Sequence, residues 1–72
     1  MHASPEIGGA VYSMDRQKLG TVTEIVGDFF KVDEYWLSAR NVLDGTSDRL
    51  RMTFDLGSLD GHKVNESRVR GA

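Results

Sequence analysis

From residue 48 onward the chain alternates without a miss. Leu50, Met52 and Phe54 fall on one parity and Arg49, Arg51 and Thr53 on the other, which predicts a strand over 48–54 with one apolar and one wet face. Upstream, Phe30 and Val32 share a face against Phe29, Lys31 and Asp33. The β-branched run 21–26 precedes them, and Gly27-Asp28 between the two segments predicts a hairpin, although the order reverses the favoured Asp-Gly. Val22 and Ile25 have opposite parity; a bulge between them would turn both inward.

Val11 and Tyr12, the polar break Asp15-Arg16-Gln17-Lys18 and then Leu19-Gly20 read as strand, turn, strand. The stretch 34–43 is the least regular, because Trp36, Leu37, Ala39 and Leu43 fit either a short helix face or a strand followed by a loop. The cluster Asp44-Gly45-Thr46-Ser47 reads as a turn and favours strand, then loop. Residues 55–61 suit one helical turn that lays Leu56 and Leu59 over an open end of the sheet. Residues 1–8, with the sole proline at position 5, form a lead-in, and the polar tail 65–72 is expected to be flexible.

About five short strands at roughly 8–12-residue spacing, with no helix of three turns, predict an all-β fold: a small barrel over 9–64. Closure would remove exposed strand edges and enclose Val11, Leu19, Val22, Ile25, Phe30, Val32, Leu37, Leu50, Met52 and Phe54.

Composition narrows the class. The 72 residues include no cysteine, so the core receives no disulfide or thiolate-metal support, and a domain of this size gains from a partner chain. Nine Lys and Arg against eleven Asp and Glu give a net charge of −2, which disfavours a general polyanion binder. No long apolar run or signal-peptide pattern stands in the sequence, so membrane insertion is not expected and a cytoplasmic location is the default reading.

Most candidate chemistry has a plainer explanation. His2 and His62 are the only imidazoles and lack zinc-site spacing, so they read as surface histidines, with no metal expected. Asp55 and Glu66 fit positions one and twelve of a calcium loop, but Gly57 and Leu59 occupy liganding positions and Asp60 stands where glycine is needed. Asn65-Glu66-Ser67 matches a glycosylation acceptor of the kind that arises by chance. Asp33 and Glu34, if on a strand, would point to opposite faces and could not act as a catalytic pair. No phosphate-cradling glycine loop is present. No catalytic residue, cofactor or small-molecule substrate is therefore expected.

Two surface features remain. Arg49 and Arg51 share the outward face of their strand, and Arg40, Arg68 and Arg70 could join them; solvated charges that discourage aggregation are the plainer reading. Phe29, Tyr35 and Trp36 bracket Lys31-Val32-Asp33, and a barrel this small cannot take every aromatic inside. Trp36 stays open between contact surface and core.

The run Val11-Tyr12-Ser13-Met14-Asp15-Arg16-Gln17-Lys18-Leu19-Gly20-Thr21-Val22, with Gly27-Asp28-Phe29-Phe30-Lys31-Val32-Asp33, Trp36-Leu37 and the strand at 48–54, resembles the PRC-barrel-like domains, in particular the short stand-alone bacterial members of unknown function. The resemblance spans about residues 7 to 60. That family is similar in fold to the cytoplasmic domain of the photosynthetic reaction-centre H subunit and to the C-terminal domain of the ribosome maturation factor, which hold protein partners. It implies an SH3-like β-barrel used as an interaction module, with no catalytic residues to carry over. The chain departs from the pattern at Asp15-Arg16, where Asp-Gly is frequent, and at Ser38, where proline is common.

The resulting expectation is a non-enzymatic protein-interaction module that forms a homodimer. An apolar patch of Phe29, Tyr35 and Trp36 would supply contact energy, and Arg40, Arg49 and Arg51 would tune partner choice. The alternative is contact with RNA or a ribosome precursor through the same three arginines.

Overall fold

The alternation at 48–54 becomes strand β6 (Arg49–Met52), which inserts beside the first strand of the chain. In the computed structural model, which describes residues 4–70, the others are β1 (Ala10–Tyr12), β2 (Lys18–Val26), β3 (Phe29–Val32), β4 (Tyr35–Ser38) and β5 (Val42–Thr46). They form one sheet in the order β4-β3-β2-β1-β6-β5, antiparallel except where β1 lies parallel to β6. The sheet curls into a half-barrel, so the all-β expectation is met with six strands rather than five. β4 and β5 remain as its two edges, and among the described residues no ladder closes the ring.

The local chemistry explains the turns. Gly27 takes a φ of 58° at the first central position of the β2–β3 hairpin, the conformation a type II′ turn requires, so Gly-Asp is the fitting order here. Asp33 takes a φ of 55° in the β3–β4 turn. Arg16, in the turn between β1 and β2, also adopts a left-handed φ of 65°. That conformation costs a non-glycine residue about 1 kcal/mol. It is held by Ser13, whose hydroxyl donates to Asp15 and accepts the Gln17 N–H at 3.1 Å.

The core side of the half-barrel carries Val11, Leu19, Val22, Phe30, Val32, Leu37, Val42, Leu50, Met52 and Phe54. Ile25 departs from the expectation. The register does shift between Val22 and Glu24, and it sets Ile25 opposite Phe30, but Ile25 lies next to the hairpin tip and is left 38% exposed. Val42 takes its place in the core.

Residues 42–46 form a strand where a loop and turn were expected. The turn falls instead at Ser47-Asp48, because Thr46 pairs with Arg49. Within β5, Asp44 stands opposite Arg51, and Gly45 adopts a φ of 111° with its Cα so close to Arg49 that an added Cβ would lie 2.2 Å from the Arg49 carbonyl oxygen. Asp-Gly here marks a bulged strand and not a hairpin loop.

The described residues contain three short helical segments, more than the single turn expected. One turn of 3-10 helix spans Ala39–Asn41, a second spans Leu56–His62, and the α-helix α1 spans Glu66–Arg70. α1 falls in the tail expected to be flexible, yet it packs on the sheet with Val69 buried. Residues 71 and 72 of that tail, like residues 1–3, lie outside the described residues.

Candidate functional site

The two sheet edges receive opposite treatment, and this decides which surfaces are free to make contacts. At β4 the chain returns and covers the edge itself. The Val64 N–H donates to the Trp36 carbonyl at 2.9 Å, forming an antiparallel bridge, and α1 follows directly. Trp36 pairs with Lys31, so its indole lies on the outer side of the sheet, away from the core cluster. There the indole Nε1–H donates to Glu66 Oε1 at 3.3 Å, and the Arg70 guanidinium lies 5.4 Å from the ring centroid. Arg70 also pairs with Glu24 and approaches Glu66 at 3.8 Å.

Trp36 is consequently only 2% exposed. It supplies no exposed contact surface, because the outer face that a small barrel cannot enclose is sealed by the C-terminal helix. Its former companions are also engaged. Phe29 is half-buried opposite Ser38. Tyr35 is half-buried, and its hydroxyl donates to the Leu19 carbonyl at 2.8 Å. Burial pushes the Tyr35 phenol above its usual pKa, and the charge of Asp33 adds to the effect. The three aromatics thus do not form one apolar patch.

At the other edge, β5 pairs with β6 on one side and with no strand on the other. Leu43 to Thr46 are exposed, with Leu43 at 41%. Alternate backbone N–H and C=O groups of such a strand point outward and are open to another chain. Beside this edge the outer face of β1, β5 and β6 forms an open groove of about 640 Å³, lined by Tyr12, Arg16, Asp44, Arg49 and Arg51 among others.

The Arg51 Nε–H donates to Asp44 Oδ1 at 2.8 Å, and Nη2 binds the second carboxylate oxygen. This bidentate pair holds the Asp44 carboxyl below its usual pKa, and the nearby positive charge of Arg16 works in the same direction. Three arginines against one carboxylate leave the groove positive on a chain whose total charge is −2. Arg49 and Arg51 therefore do share a surface, as their parity predicted, but Arg51 is occupied by Asp44 and Arg40 lies elsewhere. Arg40 stands at the end of β4, in a second cleft with Phe29, Ser38 and Arg68.

Sequence reasoning missed Leu43, Tyr12, Arg16 and Asp44 as parts of the groove and its edge. The available signal was the seven-residue spacing of Asp44 and Arg51 about Ser47-Asp48, which suits a cross-strand ion pair; Asp44-Gly45 was the more conspicuous turn signal.

The other motifs have structural roles. Asp55 caps its 3-10 turn by accepting the Ser58 N–H at 3.0 Å, while Glu66 binds Trp36, so the two ends of the calcium-like count serve separate ends of the fold. His62 stacks on Phe54 with ring centroids 4.2 Å apart, and its Nδ1 lies 2.9 Å from the Ser58 carbonyl oxygen. His2 lies outside the described residues. Asp33 and Glu34 occupy a turn, where strand alternation does not apply, and line one open hollow with Tyr35 and Lys63. Both acids are exposed. Among the described residues no three His, Cys, Asp or Glu side chains cluster as a metal site, and no helix is long and apolar enough to cross a membrane.

Comparison with family models, with curated proteins and with solved structures finds no match to this chain.

Proposed function

We propose that this chain is a non-enzymatic protein-interaction module that self-associates by adding strands at the β5 edge. The observation that carries this reading is the contrast between the edges: β4 is covered by the chain's own C-terminal segment, whereas β5 ends the sheet with exposed backbone and an exposed Leu43. Main-chain pairing supplies affinity in such a contact and the neighbouring side chains supply selectivity. Here those side chains are Leu43, Tyr12 and the Arg16/Arg49 pair. The register shift between Val42 and Asp44 shortens the regular part of the edge, so a partner gains little from backbone pairing alone and must also engage the groove. The resemblance to PRC-barrel-like domains supports the same class of function.

Sedimentation equilibrium of the full chain and of Leu43→Lys tests the proposal. The parent chain is expected to form a dimer at tens of micromolar. The substitution removes apolar contact and places a charge beside the edge, so Leu43→Lys should weaken the dimer about tenfold or more. A parent chain that stays monomeric, or a dimer indifferent to Leu43→Lys, contradicts the reading.

RNA contact would have used Arg40, Arg49 and Arg51 together. Their division between two clefts, with Arg51 held by Asp44, favours the protein-binding reading.

A further inference from the structure

The second cleft opens where β4 and the returning C-terminal segment part company. Val64 pairs antiparallel with Trp36, so a continued ladder would set His62 opposite Ser38. It does not continue, because His62 belongs to the 3-10 turn Leu56–His62 and its ring is stacked on Phe54. The end of β4 is therefore left without a strand opposite, and the gap is a cleft of about 450 Å³. Phe29, half-buried, forms part of its wall.

The charges in this cleft are mostly of one sign. Arg40, Lys63 and Arg68 line it against the single carboxylate of Asp28. Lys63 is engaged, 3.0 Å from Asp60 and 5.0 Å from the Tyr35 ring centroid. Arg40 and Arg68 are exposed and form no ion pair among the described residues. Two unpaired guanidinium groups thus flank an unfinished strand edge and an aromatic wall on a chain of net negative charge.

We infer that this cleft binds an extended acidic segment of a partner polypeptide. The segment pairs at Ser38, the last residue of β4 and the one edge position past the Trp36–Val64 bridge, places carboxylates at Arg40 and Arg68, and lays an apolar side chain on Phe29. The edge position at Ser38 and the aromatic wall of Phe29 together favour a peptide over a nucleic acid, because a peptide brings both a backbone to pair and an apolar side chain to pack. Guanidinium groups in turn suit carboxylates by bidentate pairing. The site lies at the edge opposite β5 and does not depend on the self-association proposed above.

The test is fluorescence anisotropy at low ionic strength with the full chain and three labelled probes of equal length: a peptide alternating Glu and Val, its Gln and Val counterpart, and an oligouridine. The Glu peptide is expected to bind saturably and about tenfold more tightly than the Gln peptide. The double variant Arg40→Glu/Arg68→Glu should lose about tenfold or more, while Lys18→Glu, at an exposed cation that lines neither cleft, binds like the parent. Circular dichroism of the double variant confirms that the fold persists, since both arginines are exposed. Sedimentation of the same variant should remain that of the parent, which separates this cleft from the β5 edge. Absence of saturable binding, equal affinity for the Glu and Gln peptides, equal losses in the Arg40/Arg68 and Lys18 variants, or tighter binding of oligouridine than of the Glu peptide would each overturn the inference.

Discussion

Phe30→Ala should leave the chain largely unfolded at 25 °C. The ring of Phe30 is fully buried, opposite Leu37 on one neighbouring strand and Ile25 on the other, so its removal opens a cavity at the centre of the β2-β3-β4 hairpins. Truncating a buried Phe costs about 3–5 kcal/mol. A single core of this length rarely supplies more than about 3–5 kcal/mol in total, and no disulfide shares the load. The loss is therefore comparable with the whole stability. Urea titration followed by far-ultraviolet circular dichroism should show a native baseline for the parent and for Phe30→Leu, and little or none for Phe30→Ala. A Phe30→Ala chain that unfolds cooperatively near the parent's midpoint would mean that the ring is not packed as described.

Trp36→Ala should have the next largest effect and a different character. The indole is as buried as the core residues, but what covers it is α1 and not the opposite wall of the half-barrel. Its truncation removes the N–H that Glu66 accepts and the ring beneath Arg70, on the strand that α1 contacts. A cost of about 3 kcal/mol is expected, at the lower end for a buried aromatic because the five-residue helix can leave and no closed cavity need persist. The loss should also be local. Amides of Glu66–Arg70 should exchange far faster in Trp36→Ala, while those of β2 and β3 keep the protection that the reduced global stability allows. Ending the chain after Asn65 should reproduce the exposure from the other side, seen as red-shifted tryptophan emission and stronger quenching by acrylamide. Unchanged emission in the shortened chain would show that α1 does not cover Trp36.

How much of this was legible beforehand depended on whether a feature is local. The alternation at 48–54 and the parity of Phe30 and Val32 gave β6 and β3 their inward faces, because period-two patterning follows directly from a sheet with one buried side. Gly27-Asp28 marked its hairpin for an equally local reason, the φ its first residue must adopt. The failures are non-local. Asp44-Gly45 carries strong turn chemistry, and only the pairing of Asp44 with Arg51 and the close approach of Gly45 to Arg49 show that both belong to a strand. The tail 65–70 is polar in composition, and its order rests on a single valine and on ion pairs with residues as distant as Glu24. The surplus of aromatics suggested that one or two rings form an exposed apolar surface, whereas Trp36 is buried on the outer side of the sheet. It could not indicate that the covering partner is the same chain.

The most direct test is amide hydrogen exchange across a hundredfold range of protein concentration, because both sheet edges are read in one measurement. Val64, bridged to Trp36, should be protected equally at every concentration. Amides of β5 that face away from β6 should exchange freely in dilute solution and gain protection as the chain associates. Protection of β5 that is already complete at the lowest concentration, or association that protects β4 and leaves β5 unchanged, would contradict the assignment of the open edge.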